Sequence, residues 1–196
     1  MWKQKLLEIT KNFKHPAWGV SHFKRVYDLT LELAEAQQLD IDNDALFAAA
    51  YLHDIGAFNP YQQKGKDHSD VAIENCDEIL NSIEFPSKKI SLVKEIIKSH
   101  MFNAKLGESI ESKIFHDADT LDFLGIIGIT RILSIVGKED WTPDLKSAIS
   151  LIEKFSKELP QHLHTEKSKE IGKLRQKEML EYLNKLKNET NNLNLI

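Results

Sequence analysis

Cysteine occurs once, at Cys76, which excludes an internal disulfide framework and makes a reducing cytoplasm the expected compartment. The five prolines and eight glycines are too few for a collagen-like or low-complexity chain. All five prolines (Pro16, Pro60, Pro86, Pro143 and Pro160) fall between stretches of helical periodicity, where the missing N–H does least harm. No stretch alternates apolar and polar residues with the period of two that a strand requires. Basic residues are not in excess either: 26 Lys and Arg against 30 Asp and Glu leave a net charge of −4, which argues against a nucleic-acid polymer as partner. The most apolar runs, around Leu46–Leu52 and Ile126–Val136, are short or broken by Arg131, so no membrane span is expected. The opening Met1-Trp2-Lys3-Gln4-Lys5 lacks the apolar run of a signal peptide.

What remains is an ordinary globular composition, 41% hydrophobic and 29% charged over 196 residues. The periodicity predicts an all-α protein with helices near 2–13, 19–38, 43–56, 68–84, 87–101, 109–135, 142–158 and 166–188, the sixth breaking near Gly125 or Gly128. We expect a single domain over 1–196, with a core over about 15–137, further helices over about 142–188 and a frayed tail at 189–196. Asp42 or Asn43 can cap the helix entering Ala45–Ala50, which is apolar nearly all round and therefore central. Gly56 is expected to end that helix in a left-handed conformation.

Against this background four polar residues stand out. His22, His53, Asp54 and Asp119 lie in segments that otherwise read as inner helix faces, where an ionisable group must be paired, hydrogen-bonded or bound to a cation. Two imidazoles and two carboxylates suit a divalent transition metal. Spacing alone leaves two alternatives, a metal site or satisfied core histidines. Asp117, in a second His-Asp pair at His116-Asp117, competes with Asp119. Arg25 shares a helix face with His22 and can fork onto a phosphate.

The order His22, His53-Asp54, Asp119 resembles the H…HD…D signature of the HD superfamily of metal-dependent phosphohydrolases. His22-Phe-Lys-Arg25-Val26, Ala49-Ala-Tyr-Leu-His53-Asp54-Ile55-Gly56 and Asp117-Ala-Asp119-Thr-Leu-Asp122-Phe-Leu-Gly125 are similar to its local motifs, and Thr165, Arg175, Met179 and Leu183 to the tail of a bacterial branch of small stand-alone members. The resemblance spans about 15–187. It implies an all-helical HD fold with one metal held by His22, His53, Asp54 and Asp119, and it selects Asp119 over Asp117. His116 and Asp117 are then placed at the surface or behind the ligands. It also implies a phosphohydrolase that cleaves a nucleotide or other small phosphate ester or anhydride with metal-activated water.

The metal would be Mn, Fe, Co, Ni or Zn, which the sequence does not distinguish. Asp54 takes a catalytic role. His68 and His100 would contact the phosphate or the nucleophile, or with Asp54 as a bridge hold a second metal. Arg25, Lys64 and Lys66 would bind substrate, with the segment 59–67 forming a rim. The acidic residue that some members carry after the HD pair is replaced here by Ala57-Phe58-Asn59, and Thr120 stands where a basic residue is common. The Gly-Tyr-Pro signature of cyclic-di-GMP phosphodiesterases is missing. A di-iron oxygenase and a non-catalytic nucleotide-sensing domain are the alternative functions, and oligomeric state is left open, a homodimer included.

Overall fold

The computed structural model describes all 196 residues and contains nine α-helices and no strand. They are α1 (Trp2–Thr10), α2 (Val20–Ala36), α3 (Asn43–Leu52), α4 (His68–Ser82), α5 (Ile90–Ser99), α6 (Ile110–Asp122), α7 (Gly125–Ser134), α8 (Leu145–Glu158) and α9 (Glu166–Glu189). The long sixth helix of the sequence reading is two helices. Gly125 makes the break, with φ +72°, a left-handed conformation that costs glycine nothing. No helix is long and apolar enough to cross a membrane.

The chain divides into two compact units, Met1–Asp119 and Thr120–Ile196, with the division inside α6. In the first unit α3 is the central element. Every residue from Ala45 to Leu52 is buried, and the helix packs against α1, α2 and α5. Asp42 is its N-cap: Oδ1 accepts the N–H groups of Asp44 (3.1 Å) and Ala45 (3.0 Å). The same residue is held from outside. Its own N–H donates to Glu111 Oε1 at 2.7 Å, and Lys89 Nζ donates to its carboxylate at 2.8 Å. Three segments far apart in sequence thus set where α3 begins.

The helix ends at Leu52, earlier than expected. His53 follows as the C-cap with helical dihedrals, and Asp54 leads into a 3-10 turn over Ile55–Ala57. Gly56 lies within that turn and is not left-handed, so the expected glycine cap is corrected. Here the chain does not need a reversal to stop the helix, because the 3-10 turn takes up the next amides: Ala57 N–H donates to Asp54 O at 2.9 Å and Phe58 N–H to Ile55 O at 3.0 Å.

α4 carries its apolar stripe on Val71, Ala72, Cys76, Ile79 and Leu80 and packs on α5. Cys76 is a free, buried thiol, and burial pushes its pKa up to about 12. At neutral pH almost no thiolate exists, so the native protein should not react with a thiol-specific disulfide reagent. Full labelling is expected only after denaturation, and rapid labelling of the folded chain would contradict the packing of α4.

In the second unit α7, α8 and α9 pack on one another. Met179 and Leu183 are the buried apolar positions of α9, while Leu174 and Leu180 remain exposed. The arginine that interrupts the apolar run of α7 is accounted for: Arg131, 2% exposed, meets Asp122 at 2.8 Å and lies over the Phe123 ring at 3.8 Å.

Candidate metal centre

Six side chains of the first unit converge: His22 from α2, His53 and Asp54 from the end of α3, His68 from the first turn of α4, His100 from the end of α5 and Asp119 from α6. Their positions follow from where each helix stops or starts. His53 and His100 are the C-caps of α3 and α5, and each ring turns back on its own last turn. His53 Nδ1 lies 2.9 Å from Ala50 O and His100 Nδ1 2.7 Å from Ile97 O. A carbonyl can only accept, so Nδ1 carries a proton in both rings and Nε2 points into the centre. His68 opens α4 behind the N-cap Asp67, whose Oδ1 accepts the Ser69 N–H at 2.8 Å.

The Asp54 carboxylate sits in the middle and uses its two oxygens differently. Oδ2 lies 3.4 Å from His53 Nε2 and 3.6 Å from His22 Nε2. Oδ1 lies 3.2 Å from His68 Nε2 and 3.5 Å from His100 Nε2. His22 Nε2 is in turn 3.2 Å from His53 Nε2 and 3.2 Å from Asp119 Oδ1. Donors arranged around one ion at about 2.1 Å stand roughly 3.0–3.4 Å from each other, and the His22–His53, His22–Asp119, His53–Asp54 and His22–Asp54 separations run from 3.2 to 3.6 Å. His100 Nε2 and Asp119 Oδ1 are both buried without a hydrogen-bond partner, an expensive state unless something else satisfies them. The donor set therefore fits a divalent cation, and His22, His53, Asp54, His100 and Asp119 all fall into groups of converging ligand atoms.

Electrostatics point the same way. Two carboxylates, Asp54 and Asp119, are buried in the centre, and both stay ionised. Burial alone would raise Asp54, but the imidazoles of His53, His100 and His68 hold it well below the usual carboxylate range. Asp119 is lowered likewise, its burial outweighed by His22. The balancing positive charge in the cation-free protein comes from protons. Burial disfavours the charged form of His100, yet Asp54 and Asp119 raise it to about 9. His68 is raised too, burial being outweighed by Asp54. His53, by contrast, is lowered by its burial. A pocket that recruits protons onto its imidazoles to offset two carboxylates is one in which a cation is favoured.

The remaining candidates separate. Arg25 is half-buried, one turn along α2 from His22. Lys64 and Lys66 line a cavity of about 670 Å³ whose walls include Gly56, Ala57 and His68. Lys66 is engaged by Glu74, with Nζ 2.5 and 2.6 Å from its two carboxylate oxygens. Tyr61 packs edge-on against Phe13, at 6.1 Å. His116 and Asp117 are both buried, at 1% and 0% exposure, so the surface alternative for them is excluded. His116 Nδ1 lies 3.0 Å from Ser99 O, the carbonyl just before His100, and so holds the end of α5 against α6. Sequence offered one signal for this, the crowding of polar residues on an otherwise buried helix.

Several solved structures share the fold. Bacillus subtilis YpgQ, solved in complex with ADP, is 22% identical with a TM-score of 0.71, over 96% of this chain and 97% of that one. The Lin1889 protein of Listeria innocua is 26% identical with a TM-score of 0.68, over 97% and 98%. A predicted HD superfamily hydrolase from an uncultured Thermotogales bacterium is 24% identical with a TM-score of 0.66, over 96% and 90%. No functionally curated protein matches the chain. The sequence model of the HD domain matches residues 19–124, more than half of the chain, and all six converging side chains lie inside that range; the chain belongs to the HD domain family.

Proposed function

We propose that this protein is a divalent-cation-dependent phosphohydrolase acting on a nucleotide or another small phosphate ester or anhydride. The observation that carries this reading is the Asp54 carboxylate, with His53 and His22 on one oxygen and His68 and His100 on the other. His22, His53, Asp54 and Asp119 would hold the cation. Bound there, a divalent transition metal supplies Lewis acidity toward phosphate oxygens and lowers the pKa of water toward neutrality.

The chain's own groups do the rest. Arg25 and Lys64 bind the phosphate and offset its charge, Arg25 through a planar fork and Lys64 from the exposed rim. Lys66, held by Glu74, contributes by shaping the rim. His68 is 28% exposed and lines the cavity, so it can hold a proton at Nε2 between Asp54 and the leaving oxygen. His100, 1% exposed, is out of reach of a substrate and serves the second oxygen of Asp54. His68, His100 and Asp54 could together hold a second cation. The cavity wall is polar and cationic rather than aromatic, which suits a phosphate chain better than a base. The ADP complex of YpgQ supports a nucleotide as the substrate class.

The deciding experiment is product release from a panel of nucleotides and phosphate monoesters with Mn²⁺ or Co²⁺ added after chelation. Cation-dependent release from at least one nucleotide is expected. A protein that takes up no transition metal and releases nothing from any substrate would refute the proposal and leave a nucleotide-sensing domain in its place.

A further inference from the structure

Gly56 follows the His-Asp pair by two residues, and its conformation does not explain the choice of glycine, since its φ is not in the left-handed region. Its surroundings do. A β-carbon at this position would lie 2.2 Å from the His68 carbonyl oxygen, 2.8 Å from the His68 Cα and 2.9 Å from the His68 carbonyl carbon. All three are backbone atoms, so no rotamer change could relieve the clash. We propose that Gly56 is a positioning residue for His68: the absent side chain lets the first residue of α4 close onto the turn after Asp54, and that approach sets the reach of the imidazole. The inference rests on His68 being the working partner of Asp54 on the cavity side.

The two sides of the contact are unequally anchored. On the Gly56 side, His53 and Ile55 are fully buried and Asp54 nearly so, and the turn is closed by its own hydrogen bonds. On the other side α4 is preceded by Gln62–Asp67, all exposed, and although Ser69 is buried its apolar stripe begins only at Val71. A side chain at residue 56 would therefore displace the first turn of α4, by roughly 1 Å to restore ordinary contact. The His68 Nε2–Asp54 Oδ1 separation is 3.2 Å, already at the long end of hydrogen-bonding distances. A retreat of that size breaks it, and leaves His22, His53 and Asp119 where they are.

The test uses the full chain carrying Gly56→Ala, His68→Ala and both together. In the cation-free protein with labelled histidine, the imidazole resonances of His68 should shift in Gly56→Ala while those of His22 and His53 stay in place. This readout needs no turnover, so it decides the role of Gly56 even where the phosphohydrolase proposal fails. Where a substrate is turned over, Gly56→Ala should lower kcat by about as much as His68→Ala, on the order of a hundredfold, and the double variant should lose no more than either single one. Unshifted His68 resonances, or losses that multiply in the double variant, would overturn the proposal. Should Gly56→Ala not fold, one glycine inserted between Gln62 and Gln63 gives α4 room to retreat. The combined variant should then fold with His68 displaced; if it fails to fold, or folds with His68 in place, Gly56 serves the core and the proposal is wrong.

Discussion

Asp54→Asn should abolish turnover while leaving the helical fold intact. Asn keeps the size of the side chain and removes the charge that both oxygens share among four imidazoles. It also places an amide N–H₂ where only acceptors are wanted, beside Nε2 atoms that point inward. Loss of an electrostatic partner in a buried centre typically costs a hundred- to thousandfold, and this residue serves both halves, so a drop of roughly a thousandfold or more in kcat is expected. The fold has no comparable dependence on it, because the Asp54 side chain caps nothing. Thermal unfolding separates the two effects. The wild-type melting temperature should rise with added Mn²⁺, since an ion binding only the folded state stabilises it by mass action. That of Asp54→Asn should not. Retained turnover, or an undiminished Mn²⁺ shift, would refute the assignment of the centre.

The largest effect on stability is expected at Arg131. The residue is 2% exposed and meets Asp122, likewise 2% exposed, at 2.8 Å. Substituting Arg131→Met keeps much of the volume over Phe123 but removes the positive charge beside a buried carboxylate. Removing one member of such a pair costs about 3–5 kcal/mol. Arg131→Met with Asp122→Asn should recover most of that loss, because desolvation of the unpaired charge, and not the loss of attraction, dominates. Chemical denaturation of the three variants measures it. A single variant within about 1 kcal/mol of wild type would show that Asp122 finds water or another donor.

Much of the centre was legible because its signals are local. The apolar run Ala45–Leu52 predicted a buried helix, and it is the central one; His53 and Asp54 at its end were conspicuous for that reason. Asp119 is more telling. The choice over Asp117 came from resemblance, since both carboxylates sit on one helix and burial does not separate them: Asp117 is 0% and Asp119 5% exposed. What differs is direction, with Asp119 facing His22 at 3.2 Å, and a residue pattern does not encode that by itself. Lys66 shows the same limit from the other side. Its engagement by Glu74 depends on how the rim folds back along α4, across eight residues of sequence and no fixed helical register. Gly56 was recognised as special for the wrong reason. Glycine after a helix suggests a reversal, whereas here it answers to His68, twelve residues on. The division inside α6 left no mark in composition either, because a continuous helix needs no Pro, Gly or Ser linker to cross it.

The back-turned rings of His53 and His100 have a consequence for ion choice. Each is tied through Nδ1 to the carbonyl three residues before it and is buried, which restrains outward movement of Nε2. Capture of an ion asks no ring to flip and no helix to slide. The same stiffness makes the frame a gauge of ionic radius. Ions with bonds of about 2.1 Å would fit it, whereas calcium, which prefers six to eight oxygens at about 2.3–2.6 Å, would strain it. Discrimination against the abundant hard cation would then be set by two helix ends, before any substrate arrives.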